Sequence, residues 1–258
     1  MDYKNTPSFY NNEEYFNKYL GQTSYYLGLQ RTVDTLISII KPQSVLELGS
    51  ALGTTTVKLA SNYPQIRFTG SDIREDVVLL ANESSKECQN VSFFADDMCN
   101  IVKNSLEEYD FIFMLYSFHH IPDPIENKIS FLNSSYKNMK SNSYMLIMET
   151  FLPENVKSFE KDSAILRLWD QRSHEGYAST YWAVLNDLSP EGIDFAKKVA
   201  QTSQKEEREA GNHVYNRDDE YLITLSWLEE NAQKSGFNVI LSEPVNCIEE
   251  KAILLKKD

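Results

Sequence analysis

One stretch near the start of the chain limits its fold more than any other. Residues 45–48 form an apolar run that is typical of a short buried strand, and the run ends at Gly49. A turn of small residues follows over residues 50–53, and a helical pattern starts at Thr54. A strand, a tight turn and a helix in this order predict the first unit of a doubly wound α/β sheet. In such sheets, ligands bind beyond the carboxyl ends of the strands.

The turn after the first predicted strand carries two glycines, Gly49 and Gly53. Because glycine has no Cβ atom, both positions would let a ligand approach the backbone closely. A turn of this kind also occurs where a helix packs on a strand and no ligand binds. The turn by itself therefore leaves both interpretations open.

Acidic residues follow the second and third predicted strands. Asp72 ends the second strand, nineteen residues after Gly53, and an acid there can accept hydrogen bonds from both hydroxyls of a ribose. Residues 91–98 predict a third strand that ends in Asp97 and Met98. A carboxylate beside a soft thioether suits the amine and the ring face of an adenine. These acids favour a nucleoside site.

In their order and spacing, these residues resemble the class I S-adenosylmethionine-dependent methyltransferases. The matching residues are the turn of residues 47–53, Asp72, Asp97, Met98, the strand of residues 109–114 and the residues 117–121 that follow it. The resemblance covers residues 42–149 and implies an α/β fold, a Rossmann-like seven-stranded methyltransferase sheet. The implied strand order is 3-2-1-4-5-7-6 with the last strand antiparallel. S-adenosyl-L-methionine is the implied methyl donor, and S-adenosyl-L-homocysteine is the product.

The resemblance also implies which residues contact this cofactor. In the family, the turn faces the methionine part, the acid of the second strand holds the ribose, and the acid of the third strand holds the adenine with its neighbour. The implied cofactor residues are Tyr19, Arg31, Glu47, Gly49, Ala51, Gly53, Asp72, Ile73, Asp97, Met98 and Ser117. The middle glycine of the family's turn is Ala51 here, which is a departure of one methyl group.

A helix is predicted over residues 24–40, where apolar residues recur at helical spacing. Related enzymes often hold the carboxylate of the methionine moiety with an N-terminal Tyr or Arg, which would be Tyr19 or Arg31 here. An Arg side chain matches a carboxylate with two parallel hydrogen bonds. A surface ion pair with Asp34 is the alternative for Arg31.

The predicted acceptor pocket lies at the ends of the fourth and fifth strands. His119 and His120 follow the fourth strand, and Glu149 ends the fifth. One histidine is expected to orient the acceptor or take its proton, and Glu149 is expected to hold an ammonium group. In the alternative, the histidines only pack behind the cofactor. Methyl transfer depends mainly on alignment of the reactants and exclusion of water, so few catalytic side chains are needed.

We expect a single domain over residues 1–258. Residues 1–40 are predicted to form a helical lid over the ligand site, and residues 151–219, which lack a strand-like run, are predicted to form an inserted helical cap. The expected substrate contacts are Tyr26, Asp162, Tyr181, Trp182 and Asn186. Aromatic side chains can stack on a cationic group, although Tyr181 and Trp182 fit the core of the cap equally well.

Helices and strands of the scaffold are predicted on both sides of the cap. Residues 100–106 predict a short crossover helix before the fourth strand, and residues 218–234 predict a helix that ends at Gly236. Residues 237–241 and 247–256 predict the two final strands.

The charge of the chain restricts its partners. Lys and Arg number 25 against 38 Asp and Glu, which gives a formal net charge of −13. An acidic surface repels phosphate backbones, so we expect no nucleic-acid partner. The same field can attract a cationic substrate, or it can simply aid solubility.

The remaining composition indicates a protein of the cytoplasm without a metal site. Three scattered cysteines match neither a disulfide framework nor a zinc spacing. The chain has no apolar run long enough to span a membrane, and its first residues lack the apolar core of a signal peptide. The oligomeric state has no signature in the sequence.

The predicted function is methyl transfer to a small molecule or a peptide natural product, at an amine nitrogen. The layout resembles peptide N-methyltransferases of the plantazolicin type. An O-methyltransferase of a hydroxylated metabolite is the alternative within the family. An NAD-dependent oxidoreductase is the alternative from another class, and it would need a turn richer in glycine and a different catalytic set.

Overall fold

The computed structural model describes residues 24–104, 106–152, 154, 221–244 and 250–258. The chain divides into two compact units, and the larger unit, residues 29–154 with 219–258, contains most of these described residues. The predicted cap and the first 23 residues of the predicted lid lie almost entirely outside the described part. The single-domain organisation therefore stays a prediction.

Helices and strands alternate along the described chain. Before the predicted cap, the elements are α1 (Ser24–Ile40), β1 (Ser44–Leu48), α2 (Thr54–Asn62), β2 (Arg67–Asp72), α3 (Glu75–Ser84), β3 (Val91–Ala95), α4 (Met98–Asn104), β4 (Phe111–Leu115), a 3₁₀ turn (Phe118–His120), α5 (Glu126–Asn138) and β5 (Tyr144–Thr150). The last elements are α6 (Leu225–Lys234), β6 (Asn238–Pro244) and β7 (Glu250–Lys256).

The seven strands form one sheet in the order β3-β2-β1-β4-β5-β7-β6. Strands β1 to β5 pair in parallel, whereas β7 runs antiparallel to both of its neighbours. The predicted strand order and the antiparallel last strand are confirmed. In this order the strand sequence reverses at β1, so the first turn lies where doubly wound sheets bind their ligands.

The centre of the sheet is buried on both faces. All five residues of β1 are buried, and so are the first four of β4, as expected for parallel strands covered by helices on two sides. Leu46 and Ile112 pack in the main core with Phe131 of α5 and Leu228 of α6. Each such side chain contributes about 1.5–3 kcal/mol by its burial.

Helix α1 has the predicted ends. Leu29, Val33, Leu36 and Ile37 are buried, and this spacing places them on one side of the helix. After the helix, Lys41 takes a positive φ of 55° and donates its N–H to the carbonyl of Ile37. Pro42 follows and cannot continue a helix, which explains the agreement.

Two helices begin at other residues than predicted. Helix α6 begins at Leu225, because the Thr224 side chain accepts the N–H of Trp227 as a cap. Thr224 itself is extended and forms an isolated bridge with Leu152, and the carbonyl of Ile223 accepts the N–H of Leu152. Helix α4 likewise begins at residue 98 rather than at residue 100, because the Asp97 side chain accepts the N–H of Cys99.

None of the helices in the described part of the chain has the length and apolar character that crossing a membrane requires.

Candidate functional site

The turn between β1 and α2 has an unusual backbone. Gly49, Ala51 and Gly53 all adopt positive φ, with values of 77°, 45° and 71°. The N–H groups of Gly49 and Ser50 both donate to the carbonyl of Ser71 at 2.8 Å, which ties the turn to β2. Only glycine adopts such φ values without strain, so the two glycines are explained by the path of the chain.

Side chains of the protein itself fill the space beside these glycines. A Cβ atom on Gly49 would lie 2.5 Å from the Cβ of Ser117, and one on Gly53 would lie 2.4 Å from the Cζ of Phe93. Internal packing is therefore sufficient to require glycine at both positions, and close approach of a ligand to this backbone stays a prediction. Their missing Cβ atoms make room for internal packing.

Phe93 supports the turn, and the sequence did not lead us to it. Its ring also occupies the space beside Gly70, where a Cβ would lie 2.4 Å from two ring carbons. Gly70 is the sequence feature that indicates such packing, because a glycine within a strand often marks close approach by another group. The ring packs with Val78 and Ala81 of α3, so the turn, β2, β3 and α3 meet at this side chain.

Asp72 is held in place by the backbone at the end of β2. Its Oδ2 accepts the N–H of Ala51 at 2.9 Å, and its Oδ1 accepts the N–H of Arg74 at 3.0 Å. Burial raises the pKa of Asp72, and these two N–H groups oppose that rise. Each carboxylate oxygen can accept a second hydrogen bond. The half-buried carboxylate is therefore suited to the two hydroxyls of a ribose.

Asp97 has a structural role that the sequence interpretation missed. Its Oδ1 accepts the N–H of Cys99 at 2.7 Å, so it caps α4 and makes the helix begin at Met98. The N–H of Asp96 donates to the carbonyl of Asp72 at 3.0 Å, which brings the ends of β2 and β3 together. The acids predicted on neighbouring strands therefore lie at one edge of the sheet.

Apolar side chains lie beside these acids. Ile73, directly after Asp72, is 42% exposed, and Met98, directly after Asp97, is half-buried. An exposed apolar side chain and a thioether next to two carboxylates fit the faces and the amine of an adenine. The two carboxylates and two apolar side chains at this edge therefore fit the nucleoside that the resemblance implies.

Glu47 lies in the interior below the turn. It is 3% exposed, and its Oε2 accepts a hydrogen bond from the hydroxyl of Thr56 on α2. Burial raises the pKa of Glu47 to about 8, and repulsion by Asp72 adds to this rise. The carboxyl is therefore mostly protonated at neutral pH.

His119 and Glu149 form a hydrogen-bonded pair where β4 and β5 end. The His119 ring Nδ1 lies 2.9 Å from Oε1 of Glu149, and the backbone N–H of His119 donates to Oε2 at 3.1 Å. The side chains are 11% and 1% exposed. The carbonyl of His119 accepts the N–H of Tyr221 at 2.9 Å. The histidine is thus held through its ring and through both of its backbone groups.

The charge of Glu149 follows from its donors. Burial alone would raise the pKa of Glu149, but His119 and the N–H groups of His119 and Thr150 hold this pKa below its usual value. A carboxylate only accepts hydrogen bonds, so Nδ1 of His119 is the donor and Nε2 is the basic nitrogen of the ring. This arrangement can take up a proton from an acceptor group.

The sequence named both residues of this pair and did not predict that they bind each other. They lie 30 positions apart, and the contact exists because β4 and β5 are adjacent parallel strands. The ring of His120 lies with its centroid 4.0 Å from that of His119, tilted by 52°.

The remaining predicted residues fall into three groups. Ser117 is buried and donates from Oγ to the carbonyl of Leu48 at 2.8 Å, so it also joins β1 to the end of β4. Arg31 is exposed on α1, and within the described chain it makes no ion pair with Asp34. The predicted residues that lie outside the described part are Tyr19, Asp162, Tyr181, Trp182, Asn186 and, for its side chain, Tyr26.

Across the described ranges, no group of three or more His, Cys, Asp or Glu side chains is arranged to hold a metal ion.

Residues 45–141 match the family model described as a methyltransferase domain. The O-methyltransferase bik3 of Gibberella fujikuroi is 26% identical to this chain over 142 residues. The match covers 49% of this chain and 28% of bik3, so the matched part is well under half the length of that relative.

Solved structures resemble the fold. Human N-acetylserotonin methyltransferase, in complex with S-adenosylmethionine, matches with a TM-score of 0.54 at 16% identity, over 88% of this chain and 51% of that one. The magnesium protoporphyrin IX methyltransferase of Synechocystis, with bound S-adenosylhomocysteine, matches with a TM-score of 0.53 at 14% identity, over 91% and 85% of the two chains. At these identities the similarity establishes the fold alone.

The domain match runs from β1 to just past the end of α5, so it includes Asp72, Asp97 and His119 but not Glu149. This match favours a methyltransferase over the NAD-dependent oxidoreductase that was the alternative from the sequence. The chain is thus similar to methyltransferases over residues 45–141, and its fold is that of solved methyltransferases crystallised with S-adenosylmethionine or S-adenosylhomocysteine.

Proposed function

We propose that this chain transfers a methyl group from S-adenosylmethionine to a hydroxyl oxygen of a small molecule. The hydrogen bond between His119 and Glu149 carries the proposal. It gives the end of β4 a histidine whose Nε2 is basic, beside the edge that carries Asp72 and Asp97. A hydroxyl is a weak nucleophile until its proton is removed, and a positioned base contributes about 10²–10⁴-fold to such a step.

The geometry of the turn and the strand ends supports an assignment of the cofactor residues. We assign Asp72 to the ribose hydroxyls, Asp97 to the adenine amine, and Ile73 and Met98 to the faces of the adenine ring. The backbone of residues 49–53 faces the methionine part. When bound, S-adenosylmethionine supplies a methyl group that is activated by the positive charge of its sulfur.

The acceptor side of the reaction rests on the pair. Nε2 of His119 takes the proton of the acceptor hydroxyl, and the Glu149 carboxylate stabilises the imidazolium that results. Glu149 acts through the histidine because only 1% of its side chain is exposed and its oxygens already accept three hydrogen bonds. This burial argues against the predicted direct contact between Glu149 and a substrate ammonium.

The comparison with bik3 supports an oxygen acceptor, since that relative is named an O-methyltransferase. An amine acceptor is the second candidate, and the net charge of −13 is the observation that favours it. A peptide substrate, the plantazolicin-type similarity and a cytoplasmic location stay predictions.

The acceptor atom is tested with methyl-labelled S-adenosylmethionine and two matched panels, one of phenols and one of primary amines with short cationic peptides. We expect label in the phenols, with release of S-adenosylhomocysteine. Label in the amines alone would overturn the oxygen proposal. Failure of the protein to bind S-adenosylhomocysteine in calorimetry would overturn the enzyme proposal.

The role of His119 is tested by His119→Gln, with His120→Gln as the matched control. We expect His119→Gln to lower kcat for a labelled phenol by about 10²–10⁴-fold while binding of S-adenosylhomocysteine is kept. His120→Gln should cost far less. Equal losses in the two variants would remove the assignment of the base to His119.

A further inference from the structure

A fully buried lysine lies next to the 3₁₀ turn Phe118–His120, which carries His119. Lys128, in the first turns of α5, is 0% exposed. Its ammonium donates to the carbonyl of Ile121 and lies 5.9 Å from the centroid of the Phe118 ring and 5.4 Å from that of the Tyr221 ring. A lysine is rarely buried so completely, because removing its charge from water is costly. The burial of Lys128 therefore indicates a specific role for its ammonium group.

Three residues that contact the Lys128 ammonium lie close to His119 in the chain or bind its backbone. Phe118 precedes His119 in the 3₁₀ turn, and Ile121 directly follows the turn. Tyr221 donates its backbone N–H to the carbonyl of His119. The ammonium thus binds the carbonyl of Ile121 and lies over the ring of Phe118, on the two sides of His119 and His120 in the chain. It also lies over the ring of Tyr221, whose N–H binds the carbonyl of His119.

We propose that Lys128 is a positioning residue for His119. Its ammonium binds the carbonyl of Ile121 and attracts the two ring faces, which fixes the 3₁₀ turn against residue 221 and points Nδ1 of His119 at Glu149. The catalytic meaning of this role rests on the proposed function. The geometry itself can be measured without an acceptor.

The neighbouring Asn127 offers a matched control. Its side chain donates to the carbonyl of Pro122 at 3.0 Å, so it also joins the start of α5 to the loop before it. Its acceptor, Pro122, lies one residue further from the 3₁₀ turn than Ile121, the acceptor of Lys128, and the Asn127 side chain carries no charge. If any contact between α5 and this loop sufficed, Asn127 and Lys128 would matter equally.

The test reads the tautomer of His119 by ¹⁵N NMR on protein labelled at histidine. The chain has four histidines, so His119→Gln assigns the signal. In the unaltered protein and in Asn127→Ala, we expect a single tautomer with the proton on Nδ1. In Lys128→Met, which keeps the bulk of the side chain and removes the charge, we expect this signal to give way to a mixture of tautomers.

A second pair of variants covers the case in which Lys128→Met does not fold. Tyr221→Leu removes one aromatic face and keeps the backbone N–H, whereas Tyr221→Phe keeps the face. We expect the tautomer mixture in Tyr221→Leu and the single tautomer in Tyr221→Phe. An unchanged Nδ1 tautomer in both Lys128→Met and Tyr221→Leu would overturn the proposal, as would an equal change in Asn127→Ala.

Kinetics separate this inference from the proposed function. With an acceptor found in the panels, Lys128→Met should lower kcat at least about tenfold in the unaltered chain and less than about twofold in a Glu149→Gln background, because residues that act as a unit are not additive. Equal losses in both backgrounds would overturn the positioning role. If no acceptor is methylated, the proposed function fails, while the tautomer measurement still decides the role of Lys128.

Discussion

The backbone N–H of Ala51 donates to Oδ2 of Asp72 at 2.9 Å. The residue that replaces the family's glycine is thus the one that orients the acid assigned to the ribose. Ala51 reaches this position with a φ of 45°, a value that favours glycine. The hydrogen bond and the strain belong to the same residue.

Replacing Ala51 by glycine should therefore stabilise the protein. Relief of the left-handed strain is worth about 1–2 kcal/mol, and the greater freedom of glycine in the unfolded chain offsets about half of it. Urea denaturation should show a gain of up to about 1 kcal/mol. Ala60→Gly in helix α2 is the control, and it should lose about 1 kcal/mol. A loss of similar size in Ala51→Gly would contradict strain at this turn.

Asp72→Ala should weaken binding of S-adenosylhomocysteine by roughly 1–3 kcal/mol, because it removes the acceptor assigned to the ribose hydroxyls. Calorimetry measures this directly. Asp76→Ala is a suitable control, since Asp76 is an exposed acid four residues away that pairs with Arg74. If Asp72→Ala binds the ligand as tightly as the control does, the ribose assignment is wrong.

Gly53→Ala should destabilise the protein by roughly 2–5 kcal/mol. The new Cβ would lie 2.4 Å from the ring of Phe93, and the φ of 71° is unfavourable for alanine. The double variant Gly53→Ala/Phe93→Leu separates these causes. If overlap dominates, the double variant should lose less stability than the two single losses predict together. Strict additivity in chemical denaturation would show that backbone strain alone is responsible.

Glu47 should make the ligand-free protein less stable as the pH rises. Its pKa is about 8 in the folded chain against an ordinary value of 4.5, so between these values the folded state holds a proton that the unfolded state has lost. The stability contribution is complete below the unfolded pKa and is lost as the pH rises through the folded pKa. The loss from pH 5 to pH 8 is on the order of 4 kcal/mol. Asp72, whose pKa burial also raises, acts in the same direction.

Glu47→Gln should remove most of this dependence, because an amide does not titrate and its oxygen can still accept the hydroxyl of Thr56. Thermal unfolding of both proteins across this pH range measures the difference. Glu126→Gln, on the exposed side of α5, should follow the unaltered protein. A Glu47→Gln protein that loses stability with pH as steeply as the unaltered chain would exclude Glu47 as the source.

Much of the scaffold could be predicted from local patterns. Helix α1 has the predicted ends and helix α2 has the predicted start, because an apolar stripe, a proline and a glycine turn act over a few residues. The start of α6 could not be predicted in this way, since the helical spacing of apolar residues continues upstream. The Thr224 cap and the pairing of Ile223 with Leu152 override that spacing.

In the candidate site, too, the positions of the residues could be predicted from the sequence, whereas their contacts could not. The positions of Asp72, Asp97, His119 and Glu149 at strand ends followed from the sequence alone, because each lies at the end of a predicted strand or within a few residues of it. What these residues bind did not follow. The cap that Asp97 makes depends on a local turn, whereas the pairing of His119 with Glu149 depends on which strands are neighbours.

The sequence by itself thus determined the class of the fold, the order of its elements and the set of polar residues at the strand ends. These are properties of hydrophobic periodicity and of short motifs, which act along the chain. Only the tertiary structure decided that side chains fill the space beside Gly49 and Gly53, that burial raises the pKa of Glu47, and that Lys128 is buried next to the 3₁₀ turn. Each of these depends on contacts between residues far apart in the chain, and such contacts exist only after the sheet and helices have packed.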